Sequence, residues 1–157
     1  MLDGRNIFDE KESFTGKTWK VLTALREEVR GELPVIAAVW GLSDDTRIRV
    51  LSPQKILDRH PEFWDTMPEE YKATGTDSFG DSYISLLADA VLPFVLDRYQ
   101  ITHHPERTAV MGASMGGLIS MYAMAERPEL FGSAICFSTH WLFGSSVMVN
   151  ELTSLLP

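Results

Sequence analysis

The stretch Gly112-Ala113-Ser114-Met115-Gly116-Gly117 restricts the fold of this chain more than any other. It lies between the apolar run Ala109-Val110-Met111 and a helical pattern over residues 118–125. A serine with glycine two residues before and two residues after, set between a strand and a helix, is the pattern of a sharp strand-to-helix turn. Any side chain at the two glycine positions would stand between strand and helix, and glycine removes it. The hydroxyl on such a turn is exposed at the carboxyl end of the strand, and the free N–H groups of the helix start point toward it. This arrangement suits attack on an ester carbon, so Ser114 is the candidate nucleophile and the chain reads first as an acyl hydrolase. The alternative is a glycine-rich turn with a chance serine. The apolar strand before it, the further Gly117 and the apolar helix that continues all weigh against that alternative.

The rest of the chain alternates helical and extended patterns. A helix is expected over residues 18–30, with Trp19, Leu22, Leu25 and Val29 on one face and Gly31 as its stop. Residues 34–40 form a continuous apolar run, expected of a strand covered on both faces. Residues 41–80 read as a long irregular connection, with a short helix starting at Pro53 and capped by Ser52. A connection of that length is expected to be functional, here as a wall or lid over the serine. Residues 81–99 read as a helix with Tyr83, Leu86, Leu87, Ala90, Val91, Phe94 and Val95 on its core face, kinked at Pro93. A strand at 108–111, a helix at 118–126, a strand at 134–137 and an apolar helix at 145–156 follow. Strands alternating with helices imply an α/β fold with a parallel sheet, and 157 residues fit one domain.

The formal charge of −8 argues against nucleic acid or an anionic membrane as partner. No stretch reaches the length of a membrane-spanning helix, and the start lacks the basic-then-apolar pattern of a secretory signal. The expectation is a soluble chain, cytoplasmic by default. Cys136 is the single cysteine, which excludes an intrachain disulfide; within an apolar run it reads as a core residue.

Several segments together resemble the putative esterase family, which includes enterochelin-esterase-like enzymes, S-formylglutathione hydrolases and mycolyltransferases. Leu2-Asp3-Gly4-Arg5-Asn6-Ile7-Phe8-Asp9 resembles that family's L-D-G-x-x-x-F-D turn. The likeness continues in order through Val39-Trp40 with Arg47, residues 80–99, residues 107–117, Pro128-Glu129-Leu130-Phe131 and Ser138-Thr139-His140-Trp141, so it covers residues 1 to about 141. The resemblance implies the α/β-hydrolase fold, with residues 1–157 as a single, truncated domain of that kind. It also implies an oxyanion hole made by the backbone amides of Met115 and Arg5.

The chain departs from the family's pattern in one respect. The hydrolase order is Ser, then Asp or Glu, then His, yet no aspartate follows Ser114 and the sole later histidine is His140. The strand expected before Asp3 is reduced to Met1-Leu2. By the family's topology that strand lies mid-sheet, between residues 34–40 and the strand that leads to Ser114. The chain therefore reads as an internal fragment of a longer esterase, with impaired catalysis because a serine without its base is a weak nucleophile.

His140 is the tentative base; a pocket-lining histidine beside Trp141 is the favoured alternative. His103-His104 read as a solvated loop at the far edge of the sheet, and His60 as part of the irregular segment. Asp77 and Asp81 read as loop and helix-cap residues rather than a triad acid. Neither a metal nor a cofactor is expected. The expected partners are a small-molecule ester and further copies of the chain, joined through exposed strand edges. Two other readings stand beside hydrolysis. One is a non-catalytic fragment; the other is an acyltransferase of the mycolyltransferase type, which would use the same acyl-enzyme.

Overall fold

The computed structural model describes residues 1–2, 4–39, 44–72, 75–141, 143 and 145–156. By its internal contacts the chain divides into two compact units, Met1–Gly41 and Leu42–Pro157.

The first unit holds two short helices, α1 (Arg5–Phe8) and α2 (Val21–Glu28). Asn6 organises the loop between them. Its side-chain oxygen accepts the Phe14 N–H at 3.0 Å, and its carbonyl accepts the Trp19 N–H at 2.9 Å. The helix expected at 18–30 is shorter at both ends. Lys20 takes a left-handed conformation (φ 56°) just before Val21, and Val29 is already extended ahead of Gly31. Its apolar face is not buried: Leu22 and Val29 are both exposed.

Residues 34–39 do not form the strand expected there, and Trp40 lies outside the described residues. The end of this run instead pairs with the start of the chain. The Met1 amino group donates to the Ala37 carbonyl at 2.5 Å, and the Val39 N–H donates to the Met1 carbonyl at 3.0 Å. These bonds flank Ala38 as in a parallel pair. The Gly4 N–H then closes on the Val39 carbonyl at 2.9 Å. Coverage on both faces is also not found, since Val35 is 61% exposed.

In the second unit, the segment expected to be irregular is mostly helical. It contains α3 (Asp44–Val50), α4 (Gln54–Arg59), a 3-10 turn (Pro61–Thr66) and α5 (Glu69–Lys72). The helix after Pro53 forms as expected, but Ser52 does not cap it; its hydroxyl donates back to the Ile48 carbonyl. The long helix that follows is α6 (Gly80–Leu86), a wide π turn (Leu87–Val91) and α7 (Leu92–Tyr99). Pro93 has no N–H to give the preceding turn, so the expected kink takes the form of this widened turn. Tyr83, Ile84, Leu87 and Ala88 are buried, whereas Leu86, Ala90 and Phe94 of the expected core face are exposed.

The centre of the unit is a parallel pair, β1 (Ala109–Ala113) and β2 (Ser133–Phe137), in register Ala109↔Ser133 through Ala113↔Phe137. Parallel neighbours need a crossover, and α8 (Met115–Glu126) supplies it. Arg127 leaves the helical conformation because Pro128 follows it. The last helix, α9 (Ser145–Leu155), packs on α8 and α4. Leu118, Ile119, Tyr122 and Ala123 of α8, Met148 and Leu152 of α9 and Ile56 of α4 are almost fully buried and form the core. The architecture is thus α/β with a small two-stranded parallel sheet. No helix among the described residues is long and apolar enough to cross a membrane.

Candidate active site

Ser114 sits at the turn from β1 into α8 with φ 56° and ψ −121°. That backbone conformation is disfavoured for a residue with a side chain, and the surroundings must impose it. Close packing does so. A Cβ on residue 112 would stand 2.4 Å from the Gly116 carbonyl oxygen, and a Cβ on residue 117 would stand 2.6 Å from Thr139 Oγ1. Strand and helix are therefore in contact through glycine, as the spacing in the sequence requires.

The Ser114 backbone is fully engaged. Its N–H donates to the Phe137 carbonyl at 3.0 Å. Its carbonyl accepts the N–H groups of Gly117 at 3.0 Å, of Leu118 at 3.3 Å and of His140 at 3.3 Å. The N–H groups of Met115 and Gly116, the first two of α8, have no backbone acceptor among the described residues. They are the unsatisfied donors of a helix start, directly after Ser114 in the chain.

The residues expected to work with Ser114 are placed unevenly. His140 is brought to the elbow by its backbone, but its ring makes no hydrogen bond or ion pair among the described residues. Arg5 lies in the first unit, where it opens α1 with its guanidinium 5.8 Å from the Phe14 ring centroid. Asp77 is a loop residue beside Arg49 at 3.7 Å. Asp81 stands in the first turn of α6 but makes no cap; its carboxylate accepts the Tyr122 hydroxyl at 2.6 Å.

The other histidines have structural partners. His60 ends α4, with Nδ1 3.2 Å from Glu62 and Nε2 3.4 Å from Glu151 of α9. His103 is less solvated than expected: its Nε2 lies 3.0 Å from the Leu130 carbonyl. His104 faces Glu106 at 3.5 Å. Cys136 is half-buried, and burial pushes its thiol up from the ordinary value. Among the described residues, no group of three or more His, Cys, Asp or Glu side chains is placed to hold a metal ion.

Two features of the site escaped the sequence. Tyr122 is wholly buried, and burial together with the Asp81 carboxylate raises its pKa; a buried tyrosine hydroxyl usually finds such a partner. The other is Ser138, whose φ of 40° no nearby glycine announces. The helical segment before α6 has a cleft of its own, about 360 Å³, lined by Leu57, Trp64, Asp65, Asp77 and Ser78 among others. None of the elbow residues lines it, so the expectation of a wall over the serine gains nothing from it.

Residues 35–150 match the family described as "Putative esterase". Uncharacterized protein YbbA of Bacillus subtilis (strain 168) is 26% identical over 107 residues, which are 68% of this chain and 42% of that protein. The chain thus spans less than half the length of this curated relative. No solved structure matches it. The family match covers most of the chain and includes the whole β1–α8–β2 core with its serine elbow, so this chain belongs to the putative esterase family.

Proposed function

We propose that the chain carries the nucleophile half of a serine esterase with an α/β-hydrolase core. The observation that carries this reading is the elbow itself: Ser114 at φ 56°, ψ −121°, beside a Met115 N–H that has no backbone acceptor. In the reaction, Ser114 Oγ forms a bond to the ester carbonyl carbon and gives up its proton to a water molecule. The carbonyl electron pair moves onto oxygen, where the Met115 N–H holds the oxyanion. As the carbonyl re-forms, the bond to the alcohol oxygen breaks and the alcohol leaves with a proton taken from water. A second water then adds to the acyl carbon, the Oγ–acyl bond breaks, and the acid departs while Ser114 regains its proton. A small carboxylic ester is the substrate class; transfer to another alcohol would use the same intermediate.

The weak point is the base. No aspartate follows Ser114, and the His140 ring is not bonded to the serine hydroxyl. Loss of a triad base lowers turnover by several powers of ten and leaves what the oxyanion donors and binding supply. This chain is therefore a slow esterase. Hydrolysis of p-nitrophenyl acetate is expected to be weak and to disappear with Ser114→Ala. Equal rates for the two proteins would reject Ser114 as nucleophile. A turnover near the usual enzymatic range of about 10 s⁻¹, abolished by the substitution, would show that an efficient base is present.

A further inference from the structure

Ser114 and Ser138 both have positive φ, and they stand at the carboxyl ends of neighbouring strands. In the register that pairs Ala113 with Phe137, a regular parallel ladder would continue with two bonds: Ser114 N–H to the Phe137 carbonyl, and Thr139 N–H to the Ser114 carbonyl. The first is present at 3.0 Å. The second is made by the His140 N–H instead, at 3.3 Å. One extra residue therefore sits on the β2 side. Ser138, at φ 40°, takes it up in the left-handed conformation of a bulge.

The extra residue also sets what faces α8. Thr139 Oγ1 stands 2.6 Å from where a Cβ on residue 117 would be, and Cys136 Sγ donates to the Gly117 carbonyl at 3.3 Å. The first turn of the helix is thus seated on residues 136–140, while both backbone polar groups of Ser114 are held by the same segment.

We propose that Ser138 is a positioning residue for Ser114. Its left-handed bulge hands the Ser114 carbonyl to the His140 N–H while the ladder bond from the Ser114 N–H to the Phe137 carbonyl is kept, and together the two hold Ser114 in its strained conformation. It also seats Thr139 against the first turn of α8, so that the side chain at position 114 stays at the free N–H groups of Met115 and Gly116. The inference rests on Ser114 as the nucleophile, but it concerns geometry, and it can be read without turnover.

The test uses a thiol reporter. In a Cys136→Ser background, which keeps a donor to Gly117, Ser114→Cys places the sole thiol of the chain at the elbow. Its thiolate is favoured by the N–H groups of a helix start. The rate of reaction with 5,5′-dithiobis(2-nitrobenzoate) across pH gives the thiol's titration and needs no general base. Ser138→Gly, which adopts positive φ freely, is expected to leave the profile in place. Ser138→Val, which resists it, is expected to move the midpoint upward by a unit or more. The thiolate fraction at pH 7 then falls about tenfold, with near-UV circular dichroism unchanged.

A second pair covers the case in which Ser138→Val does not fold. Gly117→Ala drives a methyl group into Thr139 and is expected to shift the profile in the same direction; adding Thr139→Gly is expected to restore it. An unshifted profile in folded Ser138→Val, or a Gly117→Ala shift that Thr139→Gly does not reverse, overturns the proposal. Absence of esterase activity would reject the catalytic reading alone, because the thiol profile does not depend on it.

Discussion

Gly112 is the residue where the elbow tolerates least. The atom that a Cβ would strike, the Gly116 carbonyl oxygen at 2.4 Å, is backbone in the first turn of α8 and has no rotamer to escape into. Gly112→Ala is therefore expected to destabilise the Leu42–Pro157 unit by about 1–3 kcal/mol, the usual range for overpacking. A urea titration followed by tryptophan fluorescence measures it, and an unchanged midpoint would mean that strand and helix separate more easily than their packing implies. At His140 the contact with Ser114 is made by the main chain. His140→Ala is thus expected to change Ser114-dependent hydrolysis by no more than about twofold, because the alanine N–H makes the same bond. A loss as complete as that of Ser114→Ala would identify the imidazole as the base.

At the scale of elements, α8 is tied to its neighbours by a polar network centred on Tyr122. The Tyr122 hydroxyl donates to Asp81 of α6 at 2.6 Å and accepts the Lys55 N–H of α4 at 3.3 Å. Lys55 and Glu126 close the same side with an ion pair. Burial, reinforced by the Asp81 carboxylate, keeps the Tyr122 hydroxyl protonated well above the ordinary tyrosine value of 10.0. The folded chain then holds a proton that the unfolded chain releases as pH rises past that value. The stabilisation is fully present below pH 10 and is lost at higher pH, because the unfolded state binds fewer protons there. Tyr122→Phe is expected to lower stability at pH 7 by about 1–3 kcal/mol, since it leaves the Asp81 carboxylate without this donor. It should also flatten the alkaline decline. Thermal melts of both proteins between pH 8 and pH 11 read this out, and parallel curves would remove Tyr122 as the cause.

At the scale of the whole molecule, apolar side chains are left open in the second unit. Ile135 and Phe137 of β2 are 42% and 51% exposed, and Leu86, Phe94 and Tyr99 of the α6–α7 helix are exposed as well. Exposed apolar residues are ordinary one by one, and they favour association where they lie on an open strand edge, as Ile135 and Phe137 do. β2 also has no partner strand among the described residues on the side away from β1, and an unpaired edge recruits strands. We propose that the chain self-associates. Light scattering at micromolar concentration should give a mass above that of one chain; a single species near 17.6 kDa would refute it.

The features that the sequence determined by itself are those set by near neighbours in the chain. The turn at Ser114 depends on glycines within three residues of the serine, and steric exclusion at that range acts the same way in any surroundings. The β2 strand, the helix after Pro53 and the apolar α9 were readable for the same reason, through local periodicity and the fixed φ of proline. Membership of the esterase family followed from these segments in their order.

Tertiary structure decided whatever required a distant partner. Residues 34–39 have the composition of a buried strand, yet their hydrogen bonds go to Met1 and Gly4, and composition does not name a partner. The stripe from Tyr83 to Val95 has helical spacing throughout, but spacing does not say which part will be covered, and Phe94 remains 66% exposed. Ser138 carries no mark in the sequence, because its positive φ belongs to a bond across the sheet, from the His140 N–H to the Ser114 carbonyl. Local sterics can be read along a chain; the pairing of hydrogen bonds across it exists only once the chain has closed on itself.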